Sequence, residues 1–309
     1  MSDRRHKGII VLGAPRSGTT MLRRLLDSHP SITCPGETFL LKASAKFLES
    51  DTIGPGIDYG VSGGLQAVGI AEDEILARLR GLCFGFMDDI ARQAGKPRWA
   101  IKTAVDSFYL DEVERVYGDH AQFVCLLRNG LDVAVSMKEF SDEMQIYVSE
   151  LHRYITRHPA PLDAFAEAWA DVATGLLGFA ERHPDNAILL RYEDIVEDPE
   201  ANLSRLFAFL GETWGEEILE IASKKTKVDG IGDWKAYNRS AVDRASLGRW
   251  QNLPQATIDR LVKILGPTLT ACGYPLPATA EDADAERRRE LAMALMQSGR
   301  GSAGAAGAE

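Results

Sequence analysis

Cysteine is scarce and scattered in this sequence. Cys34, Cys83, Cys125 and Cys272 lie far apart, with no C-x-x-C pair. That spacing argues against a disulfide framework and against a zinc site, and reads as reduced, buried thiols. Long apolar runs are missing too, and nothing approaches the length needed to cross a bilayer. The opening Met-Ser-Asp-Arg-Arg-His-Lys leads into only a short apolar strand, without a signal-peptide core, so a cytoplasmic location is expected. Positive charge is in deficit: 35 Lys and Arg stand against 45 Asp and Glu, for a formal net charge of −10. That balance argues against nucleic acid or an anionic membrane surface as partners. It does not forbid an anionic ligand in a local basic pocket. No internal repeat or second catalytic domain is evident. The 309 residues, 45% of them apolar, suit one large α/β domain. The expected division is 1–278 for that domain and 279–309 for a C-terminal helix and a Gly/Ala-rich disordered tail.

One further absence is a single lysine. The apolar run Ile9-Ile10-Val11-Leu12 ends at Gly13, and Ala14-Pro15-Arg16-Ser17-Gly18-Thr19-Thr20 follows. Helical spacing then begins with Met21, Leu22, Leu25 and Leu26. A strand, a Gly-rich turn and a helix in this order aim loop N–H groups and the positive helix end at one spot, which suits an anion. Gly13 and Gly18 supply backbone freedom and close approach. Their spacing fits G-x-x-x-x-G-K-[ST], but Thr19-Thr20 stands where Lys-Ser/Thr belongs. Arg16 is the cation inside the loop. The missing lysine argues for a nucleotide-like anion other than an ordinary Mg-nucleoside triphosphate.

The rest of the chain reads as a P-loop-like three-layer α/β/α fold, with a central parallel sheet of about five strands. The strands are expected at 8–12, 32–34, 98–103, 122–128 and 186–192. Helices are expected at 18–27, 39–49, 72–95, 162–182, from Asp198-Pro199 onward and at 257–265. In the helix at 72–95 the apolar face is read through Ile75, Leu76, Leu79, Leu82, Phe86 and Ile90. Asp51 to Gly69 is glycine-rich and reads as a long surface loop, either a lid or an insertion. His29 reads as a helix-ending cap rather than a general base. Glu37, just past a strand end, suits a general base or the N-terminal charge of the next helix. Lys102 closes a strand in the layer of the loop, or is an ordinary solvated lysine. Residues 141–161 either contact an acceptor or simply connect.

Pro15-Arg16-Ser17-Gly18-Thr19-Thr20 resembles the 5′-phosphosulfate loop of sulfotransferases that use 3′-phosphoadenosine 5′-phosphosulfate (PAPS). The likeness is to the bacterial branch related to the tyrosylprotein sulfotransferases, and Leu26-Asp27-Ser28-His29-Pro30 through Gly36-Glu37-Thr38 extends it. It spans Gly8 to Pro254. The resemblance implies that Arg16, Ser17, Gly18, Thr19 and Thr20 hold the phosphosulfate. It makes Glu37, 21 residues after Arg16, the base that takes the acceptor's proton, and Lys102 the lysine at the bridging oxygen. Arg128 and Ser136 match its 3′-phosphate pair, with Arg128 offering a planar fork. Tyr192, opening a Tyr-Glu-Asp segment, is placed against the adenosine or simply buried. The basic stretch 224–249 matches a loop that closes over the nucleotide and ends in Gly248-Arg249-Trp250, with Arg249 on phosphate and Ser240 to Arg244 as backbone contacts. Two positions depart: Phe140 replaces a third basic residue, and Phe39 replaces an arginine of the tyrosylprotein enzymes.

The implied function is therefore sulfuryl transfer from PAPS to an acceptor hydroxyl on a small metabolite, natural product or sugar, with no metal. The alternatives are a P-loop-like kinase of a small hydroxylated substrate and a non-catalytic PAPS-binding protein. The expected partner is a small-molecule acceptor; a homodimer stays open.

Overall fold

The apolar runs become strands that all point the same way. The computed structural model describes residues 8–52, 58–224, 244, 246–282, 287–290 and 293. Its strands are β1 (Gly8–Leu12), β2 (Ile32–Thr33), β3 (Asp51–Thr52), β4 (Asp58–Tyr59), β5 (Arg98–Lys102), β6 (Ala121–Leu127) and β7 (Ala187–Arg191). Five form the central sheet in the order β2-β5-β1-β6-β7, and every pairing in it is parallel. β1 is central because it is apolar on both faces: all five of its residues are buried. The fold expected from the sequence is the one observed.

The alternation of β1 splits the core into two. Ile10 and Leu12 join one cluster and Ile9 and Val11 the other. The first cluster is covered by α2 (Leu40–Leu48), α4 (Glu72–Gln93), α5 (Leu110–Tyr117), α6 (Gly130–Met144), α8 (Pro161–Arg182) and α12 (Gln255–Ala271). The second is covered by α1 (Thr19–Ser28), α9 (Tyr192–Glu197), α10 (Pro199–Leu210) and α11 (Glu217–Lys224). The short helices α3 (Val61–Ala67) and α7 (His152–Ile155) complete the first layer. In α1, Leu22, Leu25 and Leu26 are fully buried, each stabilising the layer by about 1.5–3 kcal/mol. All four cysteines are buried and unbonded. Burial pushes the Cys34 thiol up to about 12, which leaves it unreactive.

His29 closes α1. Its N–H donates to the Leu26 carbonyl at 3.1 Å. Its Nδ1 accepts the Ser31 N–H at 3.1 Å, so Nε2 carries the proton toward the Thr213 carbonyl, also 3.1 Å away.

Two expectations need correction. The buried stripe of α4 is Ile75, Leu79, Cys83, Met87 and Ala91, whereas Leu82 and Phe86 are exposed. The helix carries two adjacent apolar ridges, and the one with small Cys83 and Ala91 packs on the sheet. The stretch 51–69 is not a plain loop either. β3 pairs antiparallel with β4, and α3 follows. Gly60 permits this turn, since a Cβ there would stand 2.6 Å from the Glu49 carbonyl. Residues 53–57 of that stretch lie outside the described residues, as does most of the C-terminal tail.

Candidate active site

The strand order lays the candidate residues along one edge of the sheet. Reading across its carboxyl ends, β2 leads to Glu37, β5 ends in Lys102, β1 feeds the Gly13–Gly18 loop, β6 leads to Arg128 and β7 to Tyr192. Ligands gather at this edge in open α/β sheets.

The loop is built to leave donors unused. Gly18 is the N-cap of α1 in left-handed conformation, φ 97°, with no side-chain cap. The first N–H groups of α1 therefore have no intrahelical partner and no capping oxygen. The Ser17 hydroxyl is buried with no hydrogen-bond partner. An unpaired buried donor of this kind is uncommon and suits an anion. Thr19 is buried and Thr20 half-buried in the first turn of α1. Gly13 serves by its lack of a side chain, because a Cβ would meet Thr19 Cγ2 at 2.8 Å and the Leu126 carbonyl at 2.9 Å. Beside Gly18, it is Arg16 that takes the left-handed turn inside the loop, at φ 70°. Ser107 fastens the strand end: its Oγ accepts the Gly13 N–H at 2.7 Å and donates to the Gly13 carbonyl at 3.1 Å.

Gly18 gives the first prediction. A Cβ there would stand 2.4 Å from the Tyr192 ring, in a backbone region that alanine resists. Gly18→Ala should cost on the order of 1–3 kcal/mol, read as a lower denaturant midpoint, and should weaken nucleotide binding in parallel.

Glu37 and Lys102 meet. Lys102 Nζ and Glu37 Oε1 are 2.7 Å apart, with the lysine 2% exposed and the glutamate 17%. The solvated-lysine alternative is therefore removed, and Glu37 is not the cap of α2. Leaving either partner alone in this pocket would strand a buried charge.

On the far side of the loop, Arg128 connects three segments. Its Nη1 donates to the Arg16 carbonyl at 2.9 Å, its Nη2 to the Ser246 carbonyl, and its guanidinium stacks on the Tyr192 ring at 4.8 Å. Its buried Nε has no partner. Ser136, two turns into α6, accepts from Arg16 Nε at 3.5 Å, and Arg16 lies over the Phe140 ring at 5.3 Å. Arg16 thus stands between Ser136 and Arg128. Tyr192 is buried against Gly18 and Arg128. Arg249 is paired with Glu139 of α6. Of Ser240 to Arg244 only Arg244 is described, and its carbonyl accepts the Leu247 N–H at 3.0 Å.

Three residues that position this edge escaped the sequence reading. Asp132, 1% exposed, accepts the Gly248 N–H at 2.8 Å and the Trp250 N–H at 3.3 Å, fastening the 248–250 turn to α6. Its place in the first turn of α6 was the one available signal. Glu193 accepts the Asn129 N–H at 2.8 Å and the Tyr274 hydroxyl at 2.9 Å. Burial, reinforced by the Glu193 charge, holds that phenol far above its usual range. Asp106, beside the Glu37–Lys102 pair, had no sequence signal.

The geometry can be set beside known proteins. A model of the Sulfotransferase family matches residues 8–216. The Nodulation protein NoeE of Sinorhizobium fredii is 30% identical over 267 residues, covering 81% of this chain and 61% of that protein. A putative protein-tyrosine sulfotransferase of Caenorhabditis briggsae is 23% identical over 288 residues, covering 89% of this chain and 91% of that one. This chain thus spans about three fifths of the length of NoeE. Among solved structures, the sulfotransferase domain from the curacin biosynthetic pathway superposes with a TM-score of 0.61 at 19% identity, covering 88% of this chain and 99% of that one.

Proposed function

Because the chain belongs to the sulfotransferase family, we propose that it moves a sulfuryl group from PAPS to the hydroxyl of a small acceptor. The observation that carries this reading is the row of groups along one sheet edge. A carboxylate–lysine pair lies on one side of an uncapped helix start and an arginine with a free Nε on the other. An anion with charge at both ends fits that row, and the donors left without partners fit the family's nucleotide.

Ser17, Thr19, Thr20 and the first N–H groups of α1 would hold its 5′ end, with Arg16 beside them. Arg128 and Ser136 would take the 3′-phosphate. Arg249 joins them by exchanging Glu139 for phosphate. Tyr192, buried against Gly18 and Arg128, would line the nucleotide site from beneath the loop. Bound PAPS supplies an activated sulfuryl group, and no metal is needed for that chemistry.

The protein's own part is to position groups and balance charge. In the ligand-free pair, Lys102 neutralises Glu37. An anion in the loop competes for Lys102, which frees Glu37 from part of its counter-charge. Glu37 then takes the acceptor's proton as the new bond forms. Lys102 meets the charge left on the departing side.

An apolar side chain at the rim beside Glu37 supports an uncharged acceptor. Phe39, two residues past Glu37, is 43% exposed and stands in left-handed conformation. A metabolite, natural product or sugar hydroxyl suits this rim better than an acidic peptide tyrosine.

Isothermal titration separates the readings. The sulfuryl-transfer reading expects adenosine 3′,5′-bisphosphate to bind at least about 100-fold more tightly than ATP, a difference of about 2.7 kcal/mol. ATP binding as tightly would favour a kinase, and Walker-type chemistry would replace the scheme above.

A further inference from the structure

Between β5 and α5 sits a carboxylate that the scheme above leaves unused. Asp106 belongs to a 3₁₀ turn, Ala104–Phe108, and is 1% exposed. Its Oδ1 accepts the Lys42 N–H at 3.1 Å. Lys42 is the third residue of α2, whose N-cap Phe39 offers no capping side chain. Asp106 therefore caps α2 from another part of the fold. Its Oδ2 is buried and has no hydrogen-bond partner.

Two cross-links thus join the same two segments. Glu37 meets Lys102 at 2.7 Å. A few residues further along both, Lys42 N–H meets Asp106 at 3.1 Å. We propose that Asp106 is the positioning residue of the Glu37–Lys102 pair, clamping the start of α2 to the end of β5 and so setting how the two groups face each other. The inference rests on the sulfuryl-transfer reading, because it assigns that pair a task.

Burial also bears on the form in which Asp106 works. Burial pushes its carboxyl up to about 8; the Lys42 N–H opposes the rise, the Glu37 charge adds to it, and the nearby Thr103 hydroxyl and Lys102 charge oppose it. At neutral pH Asp106 is a neutral acid, and Lys102 faces one carboxylate rather than two. Titratable and charged groups on the neighbouring elements have other partners: Tyr109 donates to Glu150, and on α5 Glu114 pairs with Arg182 and His183 and Arg115 with Glu72. Lys42 extends its ammonium to Glu150 at 2.6 Å. Tyr117 of α5 engages Ser44 at 2.8 Å and is itself held protonated by burial. β1 has no titratable residue. On α8, Asp163 pairs with Arg260, Glu167 with Arg157 and His158, and Asp171 with Tyr154. Above pH 8 the Asp106 proton leaves, a second negative charge faces Lys102, and transfer slows.

The test uses the full chain, with Asp106→Asn and Asp106→Ala beside it. Asparagine keeps an acceptor for Lys42 and cannot ionise; alanine removes the cap. In protein labelled with ¹³C at aspartate side-chain carboxyls, one carboxyl should titrate near pH 8 and vanish in Asp106→Asn. Hydrogen exchange over residues 37–45 should speed by about fivefold in Asp106→Ala, the loss of one cap, and stay slow in Asp106→Asn. PAPS turnover, followed as release of adenosine 3′,5′-bisphosphate, should fall above pH 8 in the wild type, and its normalised profile should lose that limb in Asp106→Asn. Aspartates all titrating below pH 5, unchanged exchange in Asp106→Ala, or the same alkaline limb in Asp106→Asn would each overturn the proposal. A wild type that turns over no PAPS, with the titration and exchange as expected, would overturn sulfuryl transfer and leave the clamp standing.

Discussion

Glu37→Gln should slow PAPS turnover by about 10²–10⁴-fold, the usual worth of a positioned general base. Its affinity for adenosine 3′,5′-bisphosphate should not fall, since glutamine removes the charge that competes with the nucleotide for Lys102. Glutamine is the informative replacement because its amide oxygen can still accept from Lys102 at the position of the 2.7 Å contact. Glu37→Ala would leave the 2%-exposed Lys102 ammonium with neither a counter-charge nor an acceptor. Its stability should fall on the order of 3 kcal/mol, which mixes folding with chemistry. The double variant Glu37→Gln/Lys102→Met removes both charges and should regain most of that stability while staying inactive. Turnover in Glu37→Gln equal to the wild type would remove Glu37 from the proton transfer.

Arg128→Ala should weaken adenosine 3′,5′-bisphosphate binding by about 10–150-fold, the worth of charged hydrogen bonds at 1.5–3 kcal/mol. Adenosine 5′-phosphosulfate, which lacks the 3′-phosphate, should lose far less. It should still lose something, because Arg128 also holds the Arg16 carbonyl at 2.9 Å and stacks on Tyr192. The structure makes the arginine a brace for the loop, and the proposed function adds a phosphate contact. Arg128→Lys separates these roles: it keeps the charge and loses the fork. Equal losses for both nucleotides would confine Arg128 to bracing.

Much of this edge was legible in the sequence, and the reasons differ by residue. The β1 and β6 runs were plain because strands buried on both faces need unbroken apolar stretches. The loop was plain because glycine, arginine and hydroxyls crowd one strand-to-helix turn. Glu37 and Lys102 were individually ambiguous; only the sheet order, which sets β2 beside β5, makes them a pair. The face of α4 was misread because Leu82 and Phe86 offer a second ridge, and periodicity cannot say which ridge meets the sheet. Asp106 and Asp132 were invisible for a common reason. Each is a lone aspartate whose partner lies far along the chain, 64 residues away at Lys42 and 116 away at Gly248. No local pattern records such contacts. The hairpin at β3 and β4 hid behind glycines that suggested only a loop.

The central claim is that this sheet edge moves a sulfuryl group. Incubating the protein with [³⁵S]PAPS and a cell extract of the source organism tests it most directly. The account predicts that label passes from PAPS into an acceptor, matched by release of adenosine 3′,5′-bisphosphate, and that Glu37→Gln abolishes the transfer while still binding the nucleotide. Label that remains on PAPS while the wild-type protein is saturated with it would contradict the account.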